Sequence, residues 1–218
     1  MKKILLAAAA VAALAVAGSA SATTPLLGGT LSYNIEATND YVFRGVSQTD
    51  GDAALQGGID YTNGIFYAGT WASNVSFADY ELDLYAGITP KVGDFSFNLG
   101  AITYQYDDSA FNTTEVKAAV SYPFYKGTIG AAFYDNIDYG KTFYYELNAS
   151  YPITDKLSAS AAVGEQSLGS AKYSTANIGL TYAITPVFSI GASYSDTNIP
   201  EIVKASKPRL SVVVKAAF

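Results

Sequence analysis

Glu81 and Asp83 are two carboxylates at i and i+2, a spacing that a β-strand projects from one face. Such a pair can share a proton, divide the acid and base roles of a reaction, or set the charge of a passage. The same strand parity carries Glu36, Asp60, Glu115 and Glu146, together with Lys117 and Lys215. Arg44 stands in a segment of its own, "NDYVFRGVSQT". What is missing narrows the chemistry further. The chain has no histidine and no cysteine, so Ser-His and Cys-His nucleophile pairs, His-ligated metals and disulfides are all excluded. No catalytic residue, metal site or cofactor site is expected, and neighbouring carboxylates on one strand face read more simply as a polar lining than as an enzyme.

The elements that must hold these charges show in composition and periodicity. Half of the 218 residues are apolar, 18 are Tyr and 11 are Phe, yet only 15% are charged, against about 25% in soluble domains. The opening "MKKILLAAAAVAALAVAGSASA" has a basic start, an apolar run shorter than a membrane span and a small-residue cleavage site. Residues 1–22 are therefore expected to be a cleaved signal peptide and 23–218 the mature domain. Removal of Lys2 and Lys3 takes the net charge from −6 to −8, an acidic balance that argues against a nucleic-acid partner.

Along the mature chain the hydropathy alternates with period two. "LSYNIEAT" sets Leu31, Tyr33, Ile35 and Ala37 against Ser32, Asn34, Glu36 and Thr38. "TFYYELNASY" and "TANIGLTY" repeat the pattern, as does the end, "RLSVVVKAAF". Alternation fits a strand with one apolar face. The connections differ in kind: short turns at 61–64, 89–94, 122–127, 151–156 and 182–187 alternate with longer polar segments near 39–52, 73–79, 106–112, 135–141, 165–171 and 195–208. Short periplasmic turns and longer external loops characterise outer-membrane barrels. Five turns and six loops join twelve strands, predicting an all-β, antiparallel, up-and-down transmembrane barrel in the cell outer membrane.

Aromatics support that layout. Tyr61, Tyr122, Tyr151 and Tyr182 each close a strand on the apolar parity before a short turn, and Phe66, Phe95 and Phe188 open the next strands. With Phe218 they would form one girdle at the membrane interface, in contact with outer-membrane lipid. The last strand is expected to pair with the first, near 31–38, so that no strand edge is left in lipid. A terminal Phe after alternating apolar residues also resembles the signal read by the barrel-insertion machinery.

The stretches "NDYVFRGVSQTDGDAALQGGIDY" (39–61), "FYAGTWASNV" (66–75) and "ELDLYAGI" (81–88) resemble the TorF-type porin family, the proteobacterial Gcw conserved-hypothetical outer-membrane proteins. The resemblance implies an outer-membrane barrel and brings no established substrate and no catalytic residues.

If the apolar parity faces lipid, Glu36, Asp60, Glu81, Asp83, Glu115 and Glu146 point inward with Lys117, Lys215 and Arg44. Charges facing lipid at mid-depth would cost ~2–4 kcal/mol each. The expectation is a porin passing small polar solutes or ions with weak cation preference. The alternative is a non-conducting structural or adhesive barrel whose charges merely fill its interior. Arg44 could form a constriction with the inward carboxylates, or pair locally with Asp40. Trp71 reads as an interface anchor or packing residue.

Overall fold

The computed structural model describes residues 23–200 and 204–218; the expected leader, 1–22, lies outside them. Twelve antiparallel strands make the wall: β1 (Gly29–Thr38), β2 (Ala54–Asn63), β3 (Phe66–Ser73), β4 (Glu81–Ile88), β5 (Phe95–Tyr106), β6 (Thr113–Phe124), β7 (Gly127–Asn136), β8 (Thr142–Pro152), β9 (Leu157–Leu168), β10 (Ala171–Ala183), β11 (Phe188–Thr197) and β12 (Arg209–Ala217). Each pairs with its sequence neighbour, and β12 pairs with β1, so the sheet closes. Closure satisfies every ladder internally, which hydrocarbon surroundings demand. A short strand, Thr24–Leu26, pairs with the start of β1, beyond the point where Phe218 exchanges two backbone hydrogen bonds with Tyr33.

The pleat sorts the side chains as the alternation requires. Tyr33, Ile35, Leu55, Ile59, Leu84, Leu147, Val163, Ile178, Leu210 and Val214 are exposed on the outside. Thr38, Gln56, Ser73, Glu81, Asp83, Glu115, Gln166 and Ser211 are buried on the inside. At the short-turn end, Asn63 pairs with Phe66 across a two-residue turn in which Gly64 takes φ +60°, a backbone state glycine adopts without steric cost. Phe66, Phe95, Tyr122, Tyr151, Tyr182, Phe188 and Phe218 are all exposed at that end. Tyr61 is half-covered, its hydroxyl donating to the Leu27 carbonyl at 3.3 Å.

Two features differ from the sequence expectation. The segment near 165–171 is not a long loop. The β9–β10 ladder runs out to Leu168–Ala171, and Gly169 at φ +69° turns the chain in two residues. The segment 39–52 does not stay outside. It carries a small hairpin, Val42–Phe43 against Val46–Ser47, turned by Arg44 and Gly45 at φ +45° and +79°. Two successive positive φ values are those of a type I′ turn, whose twist suits a tight hairpin. This hairpin lies inside the barrel, and the main hydrophobic cluster is there as well: Tyr41, Phe43, Ala54, Val75, Ile102, Tyr104 and Tyr106, with Trp71, Phe77 and Phe111 packed against it. The core of the molecule is thus the filled long-loop half of its lumen.

Candidate functional site

The hairpin leaves the wall at β1 and reaches the opposite side. At its tip the Arg44 guanidinium donates to both oxygens of Glu115 on β6, at 2.9 and 2.8 Å, and to Gln166 Oε1 on β9 at 2.7 Å. Its Cζ lies 4.2 Å from the ring centre of Tyr144, 4.9 Å from Tyr134 and 4.6 Å from Phe43. A planar cation with a bidentate acid and three aromatic faces is held in one orientation. Gly45 completes the dock: a Cβ there would fall 2.4 Å from Thr197 Cγ2 and 2.6 Å from Thr175 Oγ1. Only glycine lets the tip seat against β10 and β11.

The stem is fixed by its own polar groups. Asp40 accepts from Ser47 Oγ at 2.6 Å and Thr49 Oγ1 at 3.1 Å, and pairs with Arg209 of β12 at 3.4 Å. Asp40 is therefore not the partner of Arg44. Tyr41 stacks edge-on against Trp71 at 5.4 Å and donates to Glu81 Oε1 at 2.9 Å, so Trp71 packs inside the lumen. Tyr106 donates to the other oxygen of Glu81.

Each inward charge expected from the sequence can now be placed. Glu81 and Glu115 are 0–1% exposed and hydrogen-bonded beneath the hairpin. Asp83 is also fully buried, and neither of its oxygens has a hydrogen-bond partner among the described residues. Glu36 pairs with Lys215 across the β1–β12 seam at 3.2 Å. Asp60 accepts from Tyr85 Oη at 2.6 Å. Lys117 and Glu146 border the space left below the hairpin. What the sequence reading missed is the tyrosine set that engages these charges: Tyr41, Tyr85, Tyr104, Tyr106, Tyr134 and Tyr144. Its signal was present, because Tyr85, Tyr104, Tyr106, Tyr134 and Tyr144 stand on the polar parity, where lipid-facing aromatics do not belong.

Below the hairpin lies a cavity of ≈ 590 Å³ lined by residues from β5 to β11 and roofed by Val42, Phe43, Arg44 and Gly45. Its wall is built largely of small side chains, alanines such as Ala119, Ala132 and Ala162 interspersed with Ser121, Thr128, Ser150, Ser160, Asn177 and Thr181. It extends to the short turns, where Lys126, Thr154, Asp155 and Lys156 border it.

A family model described as "Bacterial protein of unknown function (Gcw_chp)" matches residues 20–218. The chain belongs to that family. Among solved structures, this Gcw_chp barrel is similar to the KdgM porin in complex with disordered oligogalacturonate. The TM-score is 0.64 at 12% identity, over 86% of this chain and 98% of that one. It is also similar to the NanC porin, with a TM-score of 0.60 at 9% identity over 85% and 98% of the two chains. At such identities the likeness is one of fold: a twelve-stranded closed porin-type barrel. No curated protein matches the sequence. Among the described residues, no group of three or more Asp or Glu side chains is arranged to hold a metal ion in this Gcw_chp protein.

Proposed function

We propose that this Gcw_chp protein is a TorF-type outer-membrane porin that gives passive passage to small polar solutes, with the 39–53 hairpin as its constriction. The observation that carries the reading is the cavity of ≈ 590 Å³, studded with hydroxyl, amide and charged side chains, inside a closed barrel of porin fold. The KdgM porin, solved with an oligogalacturonate, supports passage of a polar solute through a barrel of this size. In this reading 1–22 is the leader, the short turns are periplasmic, and the exposed aromatics at that end, Phe218 included, form the girdle against outer-membrane lipid. Phe218 also serves the insertion machinery. The work of the protein is transport, not catalysis.

A weak cation preference follows from the interior charge. Counted over the whole interior, the carboxyls of Glu36, Asp40, Asp60, Glu81, Asp83, Glu115 and Glu146 outnumber the bases Arg44, Lys117, Arg209 and Lys215 by three. On the cavity wall itself Arg44, Lys117, Lys126 and Lys156 face only Glu146 and Asp155, which keeps the preference weak. Pairing redistributes that charge without cancelling the excess, and low-dielectric walls focus its field on the passage.

The competing reading, a non-conducting structural or adhesive barrel, is favoured by one observation: Asp40, Tyr41 and Phe43 to Thr49 are all buried, at 2–8% exposure where a value is given. Single-channel recording of the refolded mature chain in planar bilayers decides between the two. Expected are discrete openings and, under a KCl gradient, a cation-selective reversal potential that shrinks as salt rises. A protein folded by heat-modifiable gel migration that never conducts would leave the structural or adhesive reading standing.

A further inference from the structure

Lys117 and Glu146 both border the cavity, yet they form no ion pair. Lys117 sits on β6 in register with Tyr134 on β7, whose ring centre lies 5.5 Å below its ammonium. Glu146 sits on β8, one row nearer the short turns, in register with Ala132. Each is held on its own side. Glu146 accepts from Tyr144 Oη at 3.0 Å and from Asn148 Nδ2 at 2.9 Å. Lys117 has no hydrogen bond to any described side chain, and its ammonium lies over the Tyr134 ring. Tyr134 stands between the two strands in the row of Lys117, but in the row of Glu146 the wall is reduced to Ala119 and Ala132, which leaves room there over a span of two strands, about 10 Å at the backbone.

A third group joins the basic side. Asn98 is in register with Ala119, beside Lys117. Tyr67 Oη donates to Asn98 Oδ1 at 2.8 Å, which fixes the amide so that its NH₂ is the free end. The cavity therefore carries an ammonium and an amide donor on one side and an oriented carboxylate on the other, with a gap of small residues between. A free anion would meet Glu146 and a free cation would meet Lys117. A solute bearing both charges a few ångströms apart satisfies both ends at once.

We propose that this wall of the cavity is a binding site for small zwitterionic solutes of the amino-acid type, the carboxylate held by Lys117 and Asn98 and the ammonium by Glu146. The site rests on the porin reading in that it names the solute class of the same passage. It does not need the hairpin to open, because the cavity extends to the short-turn end.

Two measurements separate the site from the porin. Saturation-transfer NMR on the detergent-solubilised mature chain uses threonine as the zwitterion and erythritol as an uncharged solute of similar size. Threonine should give a saturable signal and erythritol none. Lys117→Met and Glu146→Gln should each weaken threonine binding about tenfold, the loss of one charge-assisted contact, while Lys117→Arg retains it. Heat-modifiable migration verifies that each variant is folded. The absence of a threonine signal in the wild-type chain overturns the site, as does a signal unchanged in both charge variants. Swelling of proteoliposomes in the same two solutes tests transport. Faster swelling in threonine, with the difference abolished in both variants, supports the site as part of the passage. Equal rates in all proteins overturn it. No swelling in either solute overturns the porin reading alone and leaves the site to the NMR result.

Discussion

Arg44→Ala removes the only cation among the described residues that pairs with Glu115, and the guanidinium that lies among Tyr134, Tyr144 and Phe43. The wall should survive, because its ladders do not pass through Arg44. The damage falls on the docked state of the hairpin. Both side chains of the pair are only 2% exposed, and removing one partner of a buried pair costs about 3–5 kcal/mol because the other charge is stranded. Spent on docking, that energy shifts the docked–undocked equilibrium by about a hundred- to a few-thousand-fold. The chain has no native cysteine, so Val46→Cys, at a hairpin site 8% exposed, gives a unique reporter. In an otherwise wild-type protein, a membrane-impermeant maleimide should label it slowly. With Arg44→Ala, labelling should accelerate by at least an order of magnitude and single-channel conductance should rise. Adding Glu115→Gln should recover part of the slow labelling, because the stranded charge is gone. Labelling and conductance that both ignore Arg44→Ala would refute the idea that this contact holds the hairpin in the lumen.

Gly45→Val should loosen the hairpin by another route, through a Cβ that meets Thr197 and Thr175 at φ +79°; unchanged conductance and labelling would count against the docking geometry. Asp83→Asn removes the charge of a buried carboxyl that has no hydrogen-bond partner among the described residues, two residues from Glu81, and should stabilise the fold because an ionised group is the costlier one to bury, read as a higher denaturant midpoint; a lower midpoint would contradict it. Combined with Glu81→Gln it removes both carboxyls at near-constant volume and with them the negative charge the pair shares, so cation over anion permeability should fall, most clearly at low ionic strength. Phe218→Asp places a charge at the closing seam and should lower the yield of heat-modifiable, membrane-inserted protein; normal assembly would show that the terminal ring is dispensable.

The wall was legible in the sequence because its signal is repeated. Period-two hydropathy in segments such as 31–38 and 175–182, with Pro- or Gly-marked turns, suffices for twelve strands and their closure. The expected loop at 165–171 failed for a local reason: Gly169 provides the one positive φ that a two-residue turn uses there, and its ladder residues are too polar to resemble a strand. The interior was legible only in part. Parity says which way Glu115 and Gln166 point, but not that a segment more than seventy residues earlier in the chain folds inward to meet them. "NDYVFRGVSQT" reads as an external loop because its apolar members, Tyr41, Val42, Phe43 and Val46, are too few to form a period. Their meaning lies in Trp71, Tyr106 and the cavity roof, which sequence spacing cannot bring together.

The seam between β12 and β1 has five paired positions, 34–38 against 213–217, whereas β9 and β10 share twelve and β6 and β7 share ten. The Phe218–Tyr33 exchange and the short Thr24–Leu26 strand extend this thin join toward the short-turn end, Asn39 extends it the other way through Val212 and Leu210, and the Glu36–Lys215 pair ties it from within. A cylinder under load parts along its shortest row of stitches, and here that row borders the strand from which the hairpin departs. Parting of β1 from β12 would free the hairpin's anchoring stave and break the Asp40–Arg209 contact that spans the same join. The closure of the wall and the seating of the hairpin thus depend on the same join between β1 and β12.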